Sequence, residues 1–122
     1  MIPEVYAEDF VVHWPRGFKS NESHGHAEVQ ATITMIKEGI PDWFEDVRDM
    51  VIGDDDKVVT RYTSTGTHKG IYAGIEATGK PFSLDEISIY RIENGKIAEQ
   101  WCLSDDTSTL LMLGILTEKP NM

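Results

Sequence analysis

The polar side chains best placed for chemistry lie near the C-terminal end of the chain. Glu99, Trp101 and Asp105 share parity along an extended strand, so their side chains can face the same side of a sheet. Burial in an apolar site raises the pKa of a carboxyl group towards neutrality, where the group can exchange protons. A site role of this kind is one interpretation of Asp105. Alternatively, Asp105 caps the short helix that follows, because aspartate is a favoured N-cap residue.

The histidines offer weaker candidates. His13 lies in a predicted first strand and could shuttle a proton or orient a carbonyl near neutral pH, although a hydrogen-bonded structural role is the commoner outcome. His24 and His26 are two residues apart without a third ligand at a zinc spacing, so the sequence predicts no metal site. His68 stands beside glycines at a predicted strand end, which favours a structural role.

The composition describes an acidic globular chain of 122 residues with a formal net charge of −10. This charge argues against a nucleic-acid partner and against an anionic membrane surface, since both are held mainly by Lys and Arg. Cys102 is the single cysteine, so the chain forms no internal disulfide and a reducing compartment is the simplest inference. No apolar stretch reaches the roughly 18 to 20 residues that span a bilayer, and the start lacks a secretory signal pattern. We therefore expect a cytoplasmic protein.

Periodicity and turn residues divide the chain into a helix, a series of strands and a short final helix. Apolar residues at helical spacing, followed by the stop signal of Gly39 and Pro41, predict a helix near 26–38. Residues 14–25 are rich in Pro, Gly, Asn and Ser, which indicates a loop. Segment 42–52 fits either a helix or a strand by periodicity alone. Runs of β-branched and aromatic residues predict strands at 9–14, 57–65, 82–92 and 97–103.

Turn chemistry sets the fold class. Asn94 and Gly95 separate two predicted strands and give the strongest short signal for a type I′ hairpin. The residues from Ser104 to Asp106 offer an N-cap to a short helix for which Gly114 is the C-cap. Tight turns between consecutive strands indicate antiparallel pairing. We therefore predict an α+β fold with helices packed on one face of a curved sheet, and one domain over residues 1–122.

The order and spacing of several short motifs indicate a known protein family. The motifs are Ile40-Pro41-Asp42, Gly66-Thr67-His68, Thr78-Gly79-Lys80, and Gly95-Lys96-Ile97 followed by Glu99, Trp101 and Asp105. In this order and spacing the chain resembles the SnoaL-like polyketide cyclases of the nuclear-transport-factor-two-like superfamily, over about residues 9–114. The resemblance implies a cone-shaped barrel of curved antiparallel sheet around an apolar pocket, with helices on its concave face. It also implies a homodimer or higher homo-oligomer, and a strand at 42–52.

The resemblance assigns roles to the candidate residues. Asp105 matches the acid and base of the cyclase members, which close a polyketide ring by an intramolecular aldol reaction and need no metal or organic cofactor. His13 stands where the family often has histidine and is the second catalytic candidate. Three aromatic residues and one acid are candidates for binding an apolar small-molecule substrate. These are Trp101, as a flat wall, together with Trp43, Tyr62 and Glu99.

Each binding candidate has a structural alternative. Trp101, Trp43 and Tyr62 could equally be core or dimer-interface residues. Glu99 would need Arg61 or Arg91 as a partner if its side chain were turned inward, and a structural ion pair is then favoured over a second catalytic acid.

Two features depart from the family pattern. Gln100 stands where many relatives carry histidine, and the long first helix of the family is missing before Tyr6. These departures leave other functions open. One is an isomerase or hydrolase of the same fold. Another is a module without catalysis that binds a hydrophobic ligand or serves as a dimeric interaction domain.

Overall fold

The computed structural model describes residues 2–15 and 22–117 of the chain. Within these two ranges the chain forms six strands and three helices, which confirms the α+β class. The strands are β1 (Tyr6–His13), β2 (Glu22–His24), β3 (Phe44–Ile52), β4 (Lys57–Thr67), β5 (Pro81–Glu93) and β6 (Lys96–Ser104). The helices are α1 (Ile2–Val5), α2 (Gly25–Gly39) and α3 (Asp106–Met112).

The six strands form one sheet in the order β2-β1-β6-β5-β4-β3. Strands β3 to β6 follow one another as antiparallel neighbours, as the turn residues predicted. The prediction of a wholly antiparallel sheet is wrong at one place, because β1 lies parallel to β6. A parallel pair cannot be joined by a tight turn. The connection from β1 to β6 instead runs through β2, α2 and the strands β3 to β5.

The sheet does not close into the barrel that the resemblance implied. In the described residues β2 and β3 are its two edge strands. Strand β3 confirms that segment 42–52 is largely extended, and every one of its residues is exposed. Strand β2 falls within the predicted loop 14–25, of which residues 16–21 lie outside the described ranges.

Cross-strand pairing defines the two faces of the sheet. Tyr62 of β4 lies directly opposite Glu86 of β5, and both belong to what we call the inner face. Arg61, Ile87 and Leu103 lie opposite one another on the other side, which we call the outer face. Helix α2 packs against β1 on the inner side, where Phe10, Val12 and Val29 form a buried cluster. A second buried cluster joins Ile40, Tyr72, Phe82, Leu84 and Leu113.

The ends of the elements follow the turn chemistry of the sequence. Asn94 and Gly95 both have positive φ, 52° and 76°, as a type I′ turn requires. Helix α2 ends at Gly39, whose carbonyl accepts hydrogen bonds from the N–H groups of Lys69 and Gly70 at 3.0 and 2.9 Å. A side chain at Gly70 would collide with the carbonyl oxygen of Glu38. The end of α2 is therefore tied to the loop that follows β4.

The described residues before β1 form the four-residue helix α1. No helix in the described part of the chain has both the length and the apolar character needed to cross a membrane.

Candidate active site

A partly enclosed cavity of about 220 Å³ lies between α2, β1 and the inner face of the sheet. Its wall is mainly apolar and aromatic, and includes Phe10, Val12, Val29, Ile33, Trp43 and Tyr72. Three charged side chains among the described residues also reach this wall, namely Lys37, Glu45 and Glu86. An apolar cavity with a few polar groups is the usual form of a small-molecule site.

Glu86 is the less exposed of the two described acids that reach the cavity wall. It lies on the inner face of the central strand β5, and the Ser64 hydroxyl donates a hydrogen bond to its carboxyl at 3.0 Å. Burial raises the pKa of Glu86 from 4.5 to about 7, against hydrogen bonds from Ser64 and Tyr62 that favour the charged form. The negative charge of Glu45 raises it further. At neutral pH Glu86 can therefore both take and give a proton.

A chain of polar groups lies beside Glu86 on the same face. The Tyr62 hydroxyl is 2.9 Å from the Ser88 hydroxyl, which accepts a hydrogen bond from the Gln100 amide at 3.1 Å. The Cys102 sulfur lies 3.7 Å from the Tyr62 hydroxyl. Burial raises the pKa of Cys102 to about 11, so this thiol stays protonated and is a poor nucleophile at neutral pH.

Asp105 does not line this cavity. Its side chain is exposed and caps α3, where it accepts hydrogen bonds from the N–H and the hydroxyl of Ser108 at 3.1 and 2.7 Å. It borders a second, more open groove, which is lined mostly by outer-face residues such as Arg61 and Leu103 but to which Tyr62 and Glu86 also contribute. This geometry favours the capping interpretation, while the catalytic role of Asp105 stays an untested prediction.

The capping interpretation predicts a difference between two substitutions of Asp105. We expect Asp105→Ala to lower the free energy of unfolding by about 1 kcal/mol, because the N-terminal N–H groups of α3 lose their acceptor. We expect the free energy of unfolding of Asp105→Asn to stay within a few tenths of a kcal/mol of the wild-type value, since asparagine caps helices about as well as aspartate. Urea denaturation measures both. Equal stability of all three proteins would contradict the capping role.

Three of the predicted site residues lie together on the outer face, away from the cavity. His13 stacks on Trp101 with ring centres 5.5 Å apart. The two ring nitrogens of His13 are 2.9 Å from Glu22 and 2.7 Å from Glu99. Arg91 donates to Glu99 at 3.2 Å, which is the predicted type of ion pair. These hydrogen bonds, first that of His13, hold the pKa of Glu99 below its ordinary value. The cluster joins four strands and is remote from the enclosed space.

Two other predicted substrate-binding residues, Trp43 and Tyr62, do line the cavity. Trp43 packs against Phe82 and Tyr72, with ring centres 5.4 and 6.3 Å away. The structure thus brings the aromatic candidates Trp43 and Tyr62 to one site. Their role in binding stays a prediction.

The remaining histidines have structural partners. The fully buried His68 accepts a hydrogen bond from the Thr78 N–H at Nδ1, so Nε2 carries the proton that faces the Ile75 carbonyl at 3.2 Å. His26 contacts the Tyr6 carbonyl at 2.9 Å. Within residues 2–15 and 22–117, no group of three or more His, Cys, Asp or Glu side chains is arranged to hold a metal ion.

The mixed six-stranded sheet with three helices matches the nuclear-transport-factor-two-like class of fold. A protein of this class from Burkholderia pseudomallei matches with a TM-score of 0.73 at 19% identity, over 92% of this chain and 81% of that one. The model of the SnoaL-like polyketide cyclase family matches residues 1–112. The chain belongs to this family.

Two solved structures of higher identity are similar to the chain. IdmH from Streptomyces antibioticus, a candidate polyketide cyclase, is 29% identical with a TM-score of 0.76, over 93% of this chain and 84% of that one. AclR from Streptomyces galilaeus, a candidate hydroxylase, is 26% identical with a TM-score of 0.77, over 98% of this chain and 72% of that one. Comparison with curated proteins gave no significant match.

Sequence reasoning missed Glu86, although a signal was present. Glu86 has the same parity in β5 as Phe82 and Leu84, which are buried. A carboxyl group that points towards the protein interior lowers the free energy of unfolding unless it has hydrogen-bonding partners, so it is usually kept for a function. Apolar residues at Ile87 and Ile89 obscured this signal, because they make the opposite face of the strand equally suitable for burial.

Proposed function

We propose that this chain is an enzyme that carries out cofactor-independent acid/base chemistry on a small apolar carbonyl compound, with Glu86 as the proton-transferring group. The observation that supports this most strongly is a carboxyl group of raised pKa on the wall of an apolar cavity. Membership of the SnoaL-like family supports the same class of reaction.

The proposed reaction begins with Glu86 as a carboxylate. It removes a proton from the carbon next to the substrate carbonyl, the C–H electron pair forms the enolate double bond, and the carbonyl π pair moves onto oxygen. In a ring closure, the enolate carbon then attacks a second carbonyl of the same molecule. The proton held by Glu86 passes to the new alkoxide, which restores the carboxylate. The substrate delocalises its own charge, so proton transfer is the main demand on the protein.

The size of the cavity limits the substrate. An apolar cavity of about 150 Å³ takes up benzene. The cavity here, at about 220 Å³, is larger by roughly the room that a second fused ring needs. We therefore propose substrates of about two rings, with Trp43 and Tyr72 against their flat faces.

Hydrogen exchange in 1-tetralone tests the proposal. This ketone has two fused rings and exchangeable hydrogens on the carbon next to its carbonyl. We expect the protein to catalyse their replacement by deuterium in D₂O, measured by mass spectrometry. The rate above the buffer background should rise with pH through about 7 and then level off, because the base is the carboxylate form of Glu86. Binding of 1-tetralone without any catalysed exchange would instead indicate a ligand-binding module.

We also propose that a second copy of the chain covers the outer face. Ile87 and Leu103 lie opposite each other there and are 48% and 72% exposed, although they belong to the central strands β5 and β6. Arg61 and Asp49 form an ion pair on the same face. A patch that carries both charges beside apolar area can pair with its own copy across a two-fold axis.

We further propose that the protein works in the reducing cytoplasm, which its single cysteine, Cys102, favours.

The dimer proposal predicts that Leu103→Glu shifts the chain to a monomer in sedimentation experiments, because it places a charge in the apolar patch. The exposed substitution Glu76→Gln, away from this patch, is the control and should leave the mass unchanged. A wild-type chain that stays monomeric at about 100 μM would contradict this assembly.

A further inference from the structure

We propose that Gln100, Ser88 and Tyr62 form a hydrogen-bond relay of fixed direction, which presents the phenolic proton of Tyr62 to the carbonyl oxygen of a ligand in the cavity. The inference rests on the proposed function, because it states how the substrate carbonyl is held while Glu86 acts on the neighbouring carbon. It makes Tyr62 the residue that polarises the carbonyl, and Ser88 and Gln100 positioning residues behind it.

Burial isolates the relay from bulk water. Ser88 is 0% exposed, Tyr62 6% and Gln100 9%. The two hydrogen bonds that join them, at 2.9 and 3.1 Å, have ordinary lengths for good bonds. Tyr62 and Gln100 also reach the cavity wall. Hydrogen bonds in such a site strengthen one another, and a buried group without a partner is costly.

The chemistry of Gln100 sets the direction of the relay. An amide NH₂ can only donate, so Ser88 accepts at its oxygen and must direct its own single proton elsewhere. The candidates are the Tyr62 oxygen, the Tyr90 phenol and the sulfur of Cys102, which is a weak acceptor. Of these, the Tyr62 oxygen lies at an ordinary hydrogen-bond length of 2.9 Å. We therefore infer that Ser88 donates to Tyr62. The Tyr62 proton is then left for a third group.

The Tyr62 proton faces acceptors that a ligand can replace. The acceptors beside Tyr62 are the Cys102 sulfur at 3.7 Å, which is weak, and the Glu86 carboxyl, which is strong only while it is ionised. A ligand carbonyl therefore receives the phenolic proton when Glu86 is protonated. Burial raises the pKa of Tyr62, as does the charge of Glu86, so the phenol keeps its proton and acts as a donor. A hydrogen bond from Tyr62 also favours the carboxylate form of Glu86.

Tyr62 and Glu86 are placed to act on adjacent atoms of one ligand. They are direct cross-strand partners, and the Cβ atoms of such pairs lie about 5 Å apart. Before proton transfer, Tyr62 stabilises the carboxylate of Glu86. Once Glu86 has taken the proton from carbon, it is neutral, and the phenolic proton can hydrogen-bond to the new enolate oxygen. The proton of Tyr62 stays on Tyr62 throughout.

Paired ligands test the relay without knowledge of the natural substrate. The two probes are 1-tetralone and tetralin, which share a fused-ring skeleton, but only the ketone has a hydrogen-bond acceptor. At pH 5.5, where Glu86 is protonated, we expect Tyr62→Phe to weaken binding of 1-tetralone about tenfold and to change the Kd of tetralin less than about twofold. Gln100→Leu should weaken 1-tetralone binding about threefold, because Ser88 loses the donor that orients it. Isothermal titration calorimetry measures all of these values.

Controls separate the relay from general effects on the cavity. Tyr72→Phe removes another phenol from the cavity wall outside the relay, and should change the two Kd values by the same factor. If Tyr62→Phe does not fold, Ser88→Ala is tested in its place. We expect Ser88→Ala to weaken binding of 1-tetralone and to leave binding of tetralin unchanged. If Tyr62→Phe or Ser88→Ala changes the Kd values of 1-tetralone and tetralin by the same factor, the relay is wrong. Failure of deuterium exchange in a wild type that binds 1-tetralone would instead overturn the proposed function.

Discussion

Replacement of Glu86 by glutamine is expected to reduce the catalysed deuterium exchange of 1-tetralone at least about a hundredfold at pH 8. A positioned acid or base contributes about 10² to 10⁴ in rate, and glutamine cannot take up a proton. The amide is nearly isosteric with the carboxyl and can still accept the hydrogen bond of Ser64. The change therefore removes the proton-transfer group while it keeps the shape of the cavity.

Asp105→Asn is the informative companion to this substitution. It makes the same chemical change on the exposed helix cap, and we expect at least about half of the wild-type rate, since no proton-transfer group is lost from the cavity. The reverse result, with exchange lost in Asp105→Asn and kept in Glu86→Gln, would return the catalytic role to Asp105. It would also show that the cavity described above is not where proton transfer occurs.

The same Glu86→Gln substitution is expected to stabilise the folded chain by about 3 kcal/mol at pH 8.5. Burial raises the pKa of Glu86 from 4.5 to about 7, so the folded state holds a proton that the unfolded state has released. Stability therefore falls as the pH rises from 4.5 to 7, and the full loss of about 3 kcal/mol is present above that window. Glutamine has no charge to bury and avoids this loss.

Thermal denaturation at several pH values measures this effect. The Tm of Glu86→Gln should exceed that of wild type by roughly 10 °C at pH 8.5, and the difference should vanish below about pH 4.5. Glu76→Gln makes the same change at an exposed position and should leave Tm within about 1 °C of wild type. A pH-independent difference between wild type and Glu86→Gln would show that packing, and not charge burial, separates them.

Local signals predicted most of the secondary structure. Asn94 and Gly95 form the type I′ turn because both adopt positive φ. Gly39 ends α2 at a point where a side chain would collide with the Ile71 carbonyl oxygen. The three-residue strand β2 was missed, since it is too short to show alternation. The parallel pairing of β1 with β6 was missed too. This pairing joins segments far apart in the sequence, and no turn residue predicts it.

The candidate site was harder to predict because parity does not identify which face of a sheet is buried. Glu99 and Trp101 do share a face, as their spacing predicted, but it is the outer one. Asp105 had two physical interpretations, and only its hydrogen bonds to Ser108 favour one of them. Glu86 was hidden because β5 carries apolar residues on both faces. The register with Tyr62 was needed to place it in the cavity.

The parallel pairing of β1 with β6 has a consequence for the order in which the molecule assembles. His13 and Glu99, which meet across this pair, are 86 residues apart in the chain, whereas the longest connection between successive strands from β3 to β6 is the segment 68–80. Closing a long loop is entropically slower than forming neighbouring hairpins. We therefore expect the four-stranded meander to form first and β1 with α2 to dock last. The cavity then forms only at that final step, and we expect transient release of β1 and α2 to let small molecules enter and leave.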